Sequence, residues 1–126
     1  MLNNLTLQGR LTADPELKTV GDNIPVLEFT LASDRDYTLA DGERPTDFIN
    51  VVAWRGTAEF IAKYFTKGRQ ILVTGRIQVR QWRDQDGGKH RRTEVLANAA
   101  YFCDSKKQDP EAGPFEELPD EPVPFN

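Results

Sequence analysis

Five apolar stretches carry the body of this chain, and most of them alternate with polar residues at every second position. Leu5, Leu7 and Leu11 open the series, with Gly9-Arg10 between them marking a bend or bulge. Leu27, Phe29 and Leu31 share one face of the second stretch, and Ile49, Val51 and Ala53 one face of the third. The fourth, from Gln70 to Trp82, aligns Ile71, Val73, Ile77 and Val79, and the fifth runs from Thr93 to Cys103. A period of two is the mark of a half-buried strand. Asp14-Pro15, Gly21-Asp22-Asn23, Asp41-Gly42 and Asp86-Gly87-Gly88 supply turn chemistry between the stretches. The fourth strand would reach about 40 Å if straight, so it is expected to project as a ribbon with the fifth, tipped by Asp84 to Lys89.

One segment breaks this rhythm. Between Thr57 and Phe65 the apolar residues Ala58, Phe60, Ile61, Tyr64 and Phe65 follow helical spacing. Thr57 suits an N-cap, Glu59 the first turn, and Lys63 and Lys67 the end before Gly68. A short helix between the third and fourth of five strands is the layout of the OB-fold, an all-β, five-stranded Greek-key barrel.

The 126 residues suit one domain, expected over 1–104. One cysteine and one histidine exclude an internal disulfide framework and a Cys₄ or Cys₂His₂ zinc site. His90 alone is available to a histidine-based triad, and Cys103 reads as a small buried hydrophobe. No apolar run approaches the roughly 18 residues of a membrane span, and no leader pattern opens the chain. A cytoplasmic protein with no membrane role is expected. Prolines crowd the segment 105–126, which has neither periodicity and reads as a disordered acidic tail.

The net charge of −4 hides an uneven distribution. Asp109, Glu111, Glu116, Glu117, Asp120 and Glu121 stand in the stretch Asp109 to Asn126, which has no basic residue, whereas Lys and Arg outnumber Asp and Glu by ten to three between Trp54 and Arg92. A body with a basic segment suits a polyanionic partner. With Ile71, Val73, Ile77 and Val79 inward, Arg76, Arg80 and Trp82 share the outward face of their strand. By the same parity Phe48 and Trp54 face away from Val51, and Tyr37 lies in the polar loop 33–45. Aromatics interleaved with cations are what sequence-tolerant single-strand binding needs. Every base offers a π-face, worth about 1–3 kcal/mol when stacked, and each cation can release counterions from a phosphate.

Other chemistry is weakly represented. Asp34, Asp36, Asp41 and Asp47 could hold a divalent ion in a small nuclease, but their spacing matches no EF-hand loop. A protein-binding OB-fold adaptor of the primosome is the second alternative. No catalytic residue, cofactor or metal is expected.

Longer stretches resemble the bacterial and phage single-stranded DNA-binding proteins. They are Asn4-Leu5-Thr6-Leu7-Gln8-Gly9-Arg10-Leu11-Thr12-Ala13-Asp14-Pro15-Glu16, Phe29-Thr30-Leu31-Ala32, and Thr46-Asp47-Phe48-Ile49-Asn50-Val51-Val52-Ala53-Trp54. Ala58-Glu59 to Tyr64, Lys67-Gly68, and Gly75-Arg76-Ile77-Gln78-Val79-Arg80-Gln81-Trp82 to Asp84 continue the match. The resemblance implies an OB-fold that assembles as a homotetramer and wraps single-stranded DNA in replication, recombination and repair, in association with the nucleoid. It places base-stacking rings at Tyr37, Phe48, Trp54 and Trp82, two of which are often Trp in the family. Lys67 matches a basic family position. Arg76 and Arg80 are the cations favoured by facing, and Lys89, Arg91 and Arg92 are further candidates on the ribbon. The tail resembles the family's acidic tip, which docks on replication, recombination and repair proteins; here it reads Asp120-Glu121-Pro122-Val123-Pro124-Phe125-Asn126. Asn126 displaces the terminal carboxylate by one residue from the family pattern, and the linker is short.

Overall fold

The alternating stretches form strands β1 (Leu5–Leu11), β3 (Ile24–Asp34), β4 (Thr46–Trp54), β5 (Gln70–Arg83) and β6 (Lys89–Phe102), with β2 (Lys18–Val20) added and helix α1 (Arg55–Tyr64) between β4 and β5. The computed structural model describes residues 1–103, so the tail 105–126 and its tip lie outside the described residues. The hydrogen-bonded order is β1-β5-β6-β4-β3-β2, and a further β1–β3 pairing closes the sheet on itself. Five long strands with one helix between the third and fourth of them make the expected OB-fold. The three residues of β2, all exposed, hang on β3 and were not foreshadowed by any periodicity.

Closure depends on β1. It runs against β5 from Leu5 to Arg10, then meets Ala32 and Leu31 of β3 through Arg10 and Leu11. Gly9 sits where these two pairings converge, and a Cβ there would stand 2.8 Å from the Ala32 carbonyl oxygen. Inside the barrel, Leu27, Leu31, Val51, Ala53, Ile71 and Val73 are fully buried. Each of the leucine, valine and isoleucine side chains among them contributes about 1.5–3 kcal/mol. Helix α1 packs against β3, β4 and β6 through Ala58 and Ile61, and Phe65 follows it into the core.

Three local expectations need correction. Helix α1 begins at Arg55, so Thr57 lies inside it, and the N-cap Trp54 gives no side-chain bond. Thr57 Oγ1 instead donates to the Asn98 carbonyl at 3.2 Å. Asn98 is the extra β6 residue at the register shift between the Thr74–Ala99 and Gly75–Ala97 pairs, so this bond ties the helix to the bulge. Second, Ile77 and Val79 keep the expected parity but are half-exposed, because the β5–β6 ribbon has by then left the barrel and has no facing layer. Third, Cys103 is half-buried rather than buried.

Candidate nucleic-acid interface

Register assembles six of the candidate side chains, Phe48, Trp54, Arg76, Arg80, Trp82 and Arg92, on one face of the sheet. Trp82 stands beside His90, Arg80 beside Arg92, Gln78 beside Glu94, and Arg76 beside Leu96. Leu96 in turn stands beside Val52, which shares its face of β4 with Phe48, Asn50 and Trp54. On β3, Glu28 and Thr30 extend the same face, and Thr30 Oγ1 meets Asn50 Oδ1 at 3.3 Å. Phe48, Trp54 and Trp82 are 67%, 40% and 46% exposed, respectively. Rings of this size left in water beside cations are surface features rather than part of the core.

The arginines of this face are not equivalent. Arg80 lies 3.2 Å from Glu94 and 3.8 Å from Glu28, and Arg92 lies 3.9 Å from Glu94. Glu94 is only 2% exposed, and its Oε2 accepts a 2.8 Å bond from Gln78 Nε2. Arg76 makes no hydrogen bond or ion pair among the described residues, so no carboxylate offsets its charge there. Glu94 and Glu28 were not singled out from the sequence. A lone carboxylate inside the apolar run 93–103 was the available signal for Glu94.

Tyr37 lies on the loop that joins β3 to β4, half-exposed and tethered. Arg35 Nη1 donates to its hydroxyl at 2.7 Å, while Arg35 Nε and Nη2 donate to the two oxygens of Asp47 at 3.0 and 2.9 Å. The fork ties the Tyr37 ring to the start of β4, one residue before Phe48. These hydrogen bonds hold the Asp47 carboxyl below its usual range and push the Arg35 guanidinium further up.

At the ribbon tip, Trp82 and His90 stack with ring centroids 5.5 Å apart. Lys89 pairs with Arg83 and Arg91 with Gln81, so both project from the reverse face of the ribbon, unlike Arg92. Lys67 lies between α1 and β5, off the sheet face, with its backbone N–H bonded to Asp14 Oδ1 at 2.8 Å.

Three of the four aspartates of the 34–47 region are engaged locally. Asp34 accepts from Thr46 at 2.7 Å, Asp41 from the Glu43 backbone at 3.0 Å, and Asp47 from Arg35. Among the described residues no group of His, Cys, Asp and Glu side chains could hold a metal ion. No helix among the described residues is long and apolar enough to cross a membrane.

Known proteins share this chain's pattern over the whole barrel. It is 49% identical over 106 residues to a single-stranded DNA-binding protein of Caldanaerobacter subterraneus, covering 84% of this chain and 71% of the relative. Single-stranded DNA-binding protein 1 of Lactococcus lactis is 48% identical over 107 residues, covering 85% and 71% of the two chains. One from Staphylococcus aureus is 43% identical over 109 residues, covering 86% and 70%. The model of the single-strand binding protein family matches residues 2–103, and with it the chain belongs to that family, one of binding proteins rather than enzymes.

Proposed function

We propose that this chain binds single-stranded DNA without regard to sequence and protects it during replication, recombination and repair. Single-stranded DNA binding accords with its family and with the names of its relatives. The observation that carries the reading is the shared face on which Phe48, Trp54 and Trp82 stand among Arg76, Arg80 and Arg92. Bases stack on the rings, with Tyr37 a further platform at the edge, and the arginines neutralise phosphates. Lys67, Lys89 and Arg91 extend the basic surface along which the strand leaves the platform.

The chain assembles into a homo-oligomer, a tetramer in this reading. The second edge of β1 is unpaired from Leu5 to Gly9 among the described residues, and Ile77 and Val79 offer apolar surface on the reverse of the ribbon. Open strand edges and exposed apolar rows both favour self-association. Segment 105–126 is a separate functional unit, whose residues Asp120, Glu121, Pro122, Val123, Pro124 and Phe125 recruit replication, recombination and repair proteins. The working site is the cytoplasm, at the nucleoid.

The test is a titration of tryptophan emission with oligo-dT at two salt concentrations, with light scattering for mass. Tight, salt-sensitive binding that quenches emission, weak binding to duplex and a tetramer mass are expected. Equal affinity for duplex and single strand would overturn the reading. A chain cut before Asp109 should keep oligo-dT binding and lose capture of replication proteins.

A further inference from the structure

The sequence holds one histidine, His90, and the fold sets it at the ribbon tip on the face of Trp82. The two rings stack with planes inclined by 22°. His90 Nε2 lies 2.7 Å from Asp84 Oδ2. An ionised carboxylate only accepts, so Nε2 carries the hydrogen and Nδ1 is the nitrogen that gains or loses a proton. Asp84 is itself fixed, because its Oδ1 accepts from the backbone N–H groups of Gly88 at 2.6 Å and Asp86 at 3.0 Å. The imidazole is therefore held in one orientation in either charge state.

The geometry points to His90 as a DNA-binding residue whose protonation couples single-strand affinity to pH. A base stacks on the side of Trp82 turned away from His90, and the imidazolium on the other side supplies a cation to the adjoining phosphate. This rests on the single-strand reading above.

The surrounding charges set the sign. Arg80 and Arg92 share the face of His90, one register step inward; Lys89, Arg91 and Arg83 project from the reverse face; Asp84 and Asp86 are the carboxylates of the turn. In free protein the cations oppose a further positive charge and Asp84 favours it. An arriving phosphate shifts this balance toward the imidazolium, so DNA binding takes up a proton. By linkage, affinity then rises as the pH falls. The ordinary values of the other side chains lie outside a window of about pH 5.5 to 7.2.

The experiment follows the anisotropy of labelled oligo-dT with the full chain across that window at fixed ionic strength. Binding should tighten about two- to fivefold toward the acid end, the scale of one exposed charge pair. His90→Gln should bind with no such response while keeping the native circular-dichroism spectrum. In the native chain, the single histidine ring resonance should titrate at higher pH once oligo-dT is bound, by the logarithm of the same affinity ratio. This readout stands even if the variant folds poorly. Measurable binding that is flat with pH, an unmoved resonance midpoint, or an equal response in His90→Gln would overturn the inference. Absence of oligo-dT binding at every pH would instead remove the single-strand reading beneath it.

Discussion

Oε1 of Glu94 lies 3.2 Å from Nη2 of Arg80, yet neither this buried oxygen nor the buried Nε of Arg92 completes a hydrogen bond. The carboxylate therefore acts on the two arginines as a charge in a sheltered place rather than as a directed partner. A carboxylate out of water is costly unless cations compensate it, and here both compensating cations come from the proposed DNA face. Arg80 thus has two roles that can be separated by experiment.

Arg76→Ala and Arg80→Ala should fail in different ways. Arg76 has no partner among the described residues, so its loss should leave stability within about 0.5 kcal/mol and lower the salt slope of oligo-dT binding by about 0.7. Arg80→Ala leaves Glu94 under-compensated and should cost about 1–3 kcal/mol in urea unfolding, with a smaller change of salt slope. Equal stability of the two variants would show that Glu94 does not depend on Arg80.

The exposed rings should separate affinity from folding. Phe48→Ala, Trp54→Ala and Trp82→Ala should each weaken oligo-dT binding by about 1–3 kcal/mol. Their side chains lie outside the buried core cluster, so melting temperatures should hardly move. With two tryptophans in the sequence, Trp54→Phe and Trp82→Phe should each remove part of the quenching. If the alanine pair Trp54 and Trp82 left affinity unchanged, stacking would be excluded as the source of binding.

Much of this was legible from period two alone. Parity placed Leu27, Phe29 and Leu31 inside and Phe48, Trp54 and Arg76 outside, because alternation in a strand is geometric and needs no knowledge of partners. What parity lacks is the extent of the facing layer, so Ile77 and Val79 looked like core although the ribbon carries them past it. It also lacks cross-strand pairing. The clasp of Arg35 on Asp47 and Tyr37 spans a long loop, and the approach of Arg80 to Glu28 and Glu94 joins three strands. The helix start was misplaced because Thr57 fits an N-cap, whereas Arg55 enters the helix with φ of 55°, a left-handed conformation that sequence spacing does not reveal.

Gly75 should be intolerant of any side chain. It stands at the β5–β6 register shift, and an added Cβ would overlap the backbone carbonyl of Leu96, which cannot swing aside as a side chain could. Gly75→Ala should cost at least about 2 kcal/mol in chemical denaturation, as backbone displacement at a packed site does. Gly88→Ala meets only the side chain of Asp84 and should cost less. An unchanged midpoint for Gly75→Ala would mean that the bulge migrates freely along β6.

Asp47 and Asp84 should dominate the acid behaviour of the proposed DNA face. The hydrogen bond from Arg35 lowers the Asp47 carboxyl, and that from His90, followed by that from Gly88, lowers Asp84. A carboxyl whose folded value lies below its unfolded value, about 3.9 for aspartate, adds stability that is complete above the unfolded value. That increment fades as pH falls through the folded value. The ¹³C resonances of both carboxyls should therefore titrate below the ordinary aspartate range. Arg35→Ala should return Asp47 toward that range, whereas His90→Gln should return Asp84 only partway, because the backbone donors of Gly88 and Asp86 remain. Complete recovery of Asp84 in His90→Gln would show that the turn amides do not hold the carboxylate, and ordinary midpoints in the native chain would deny both clasps.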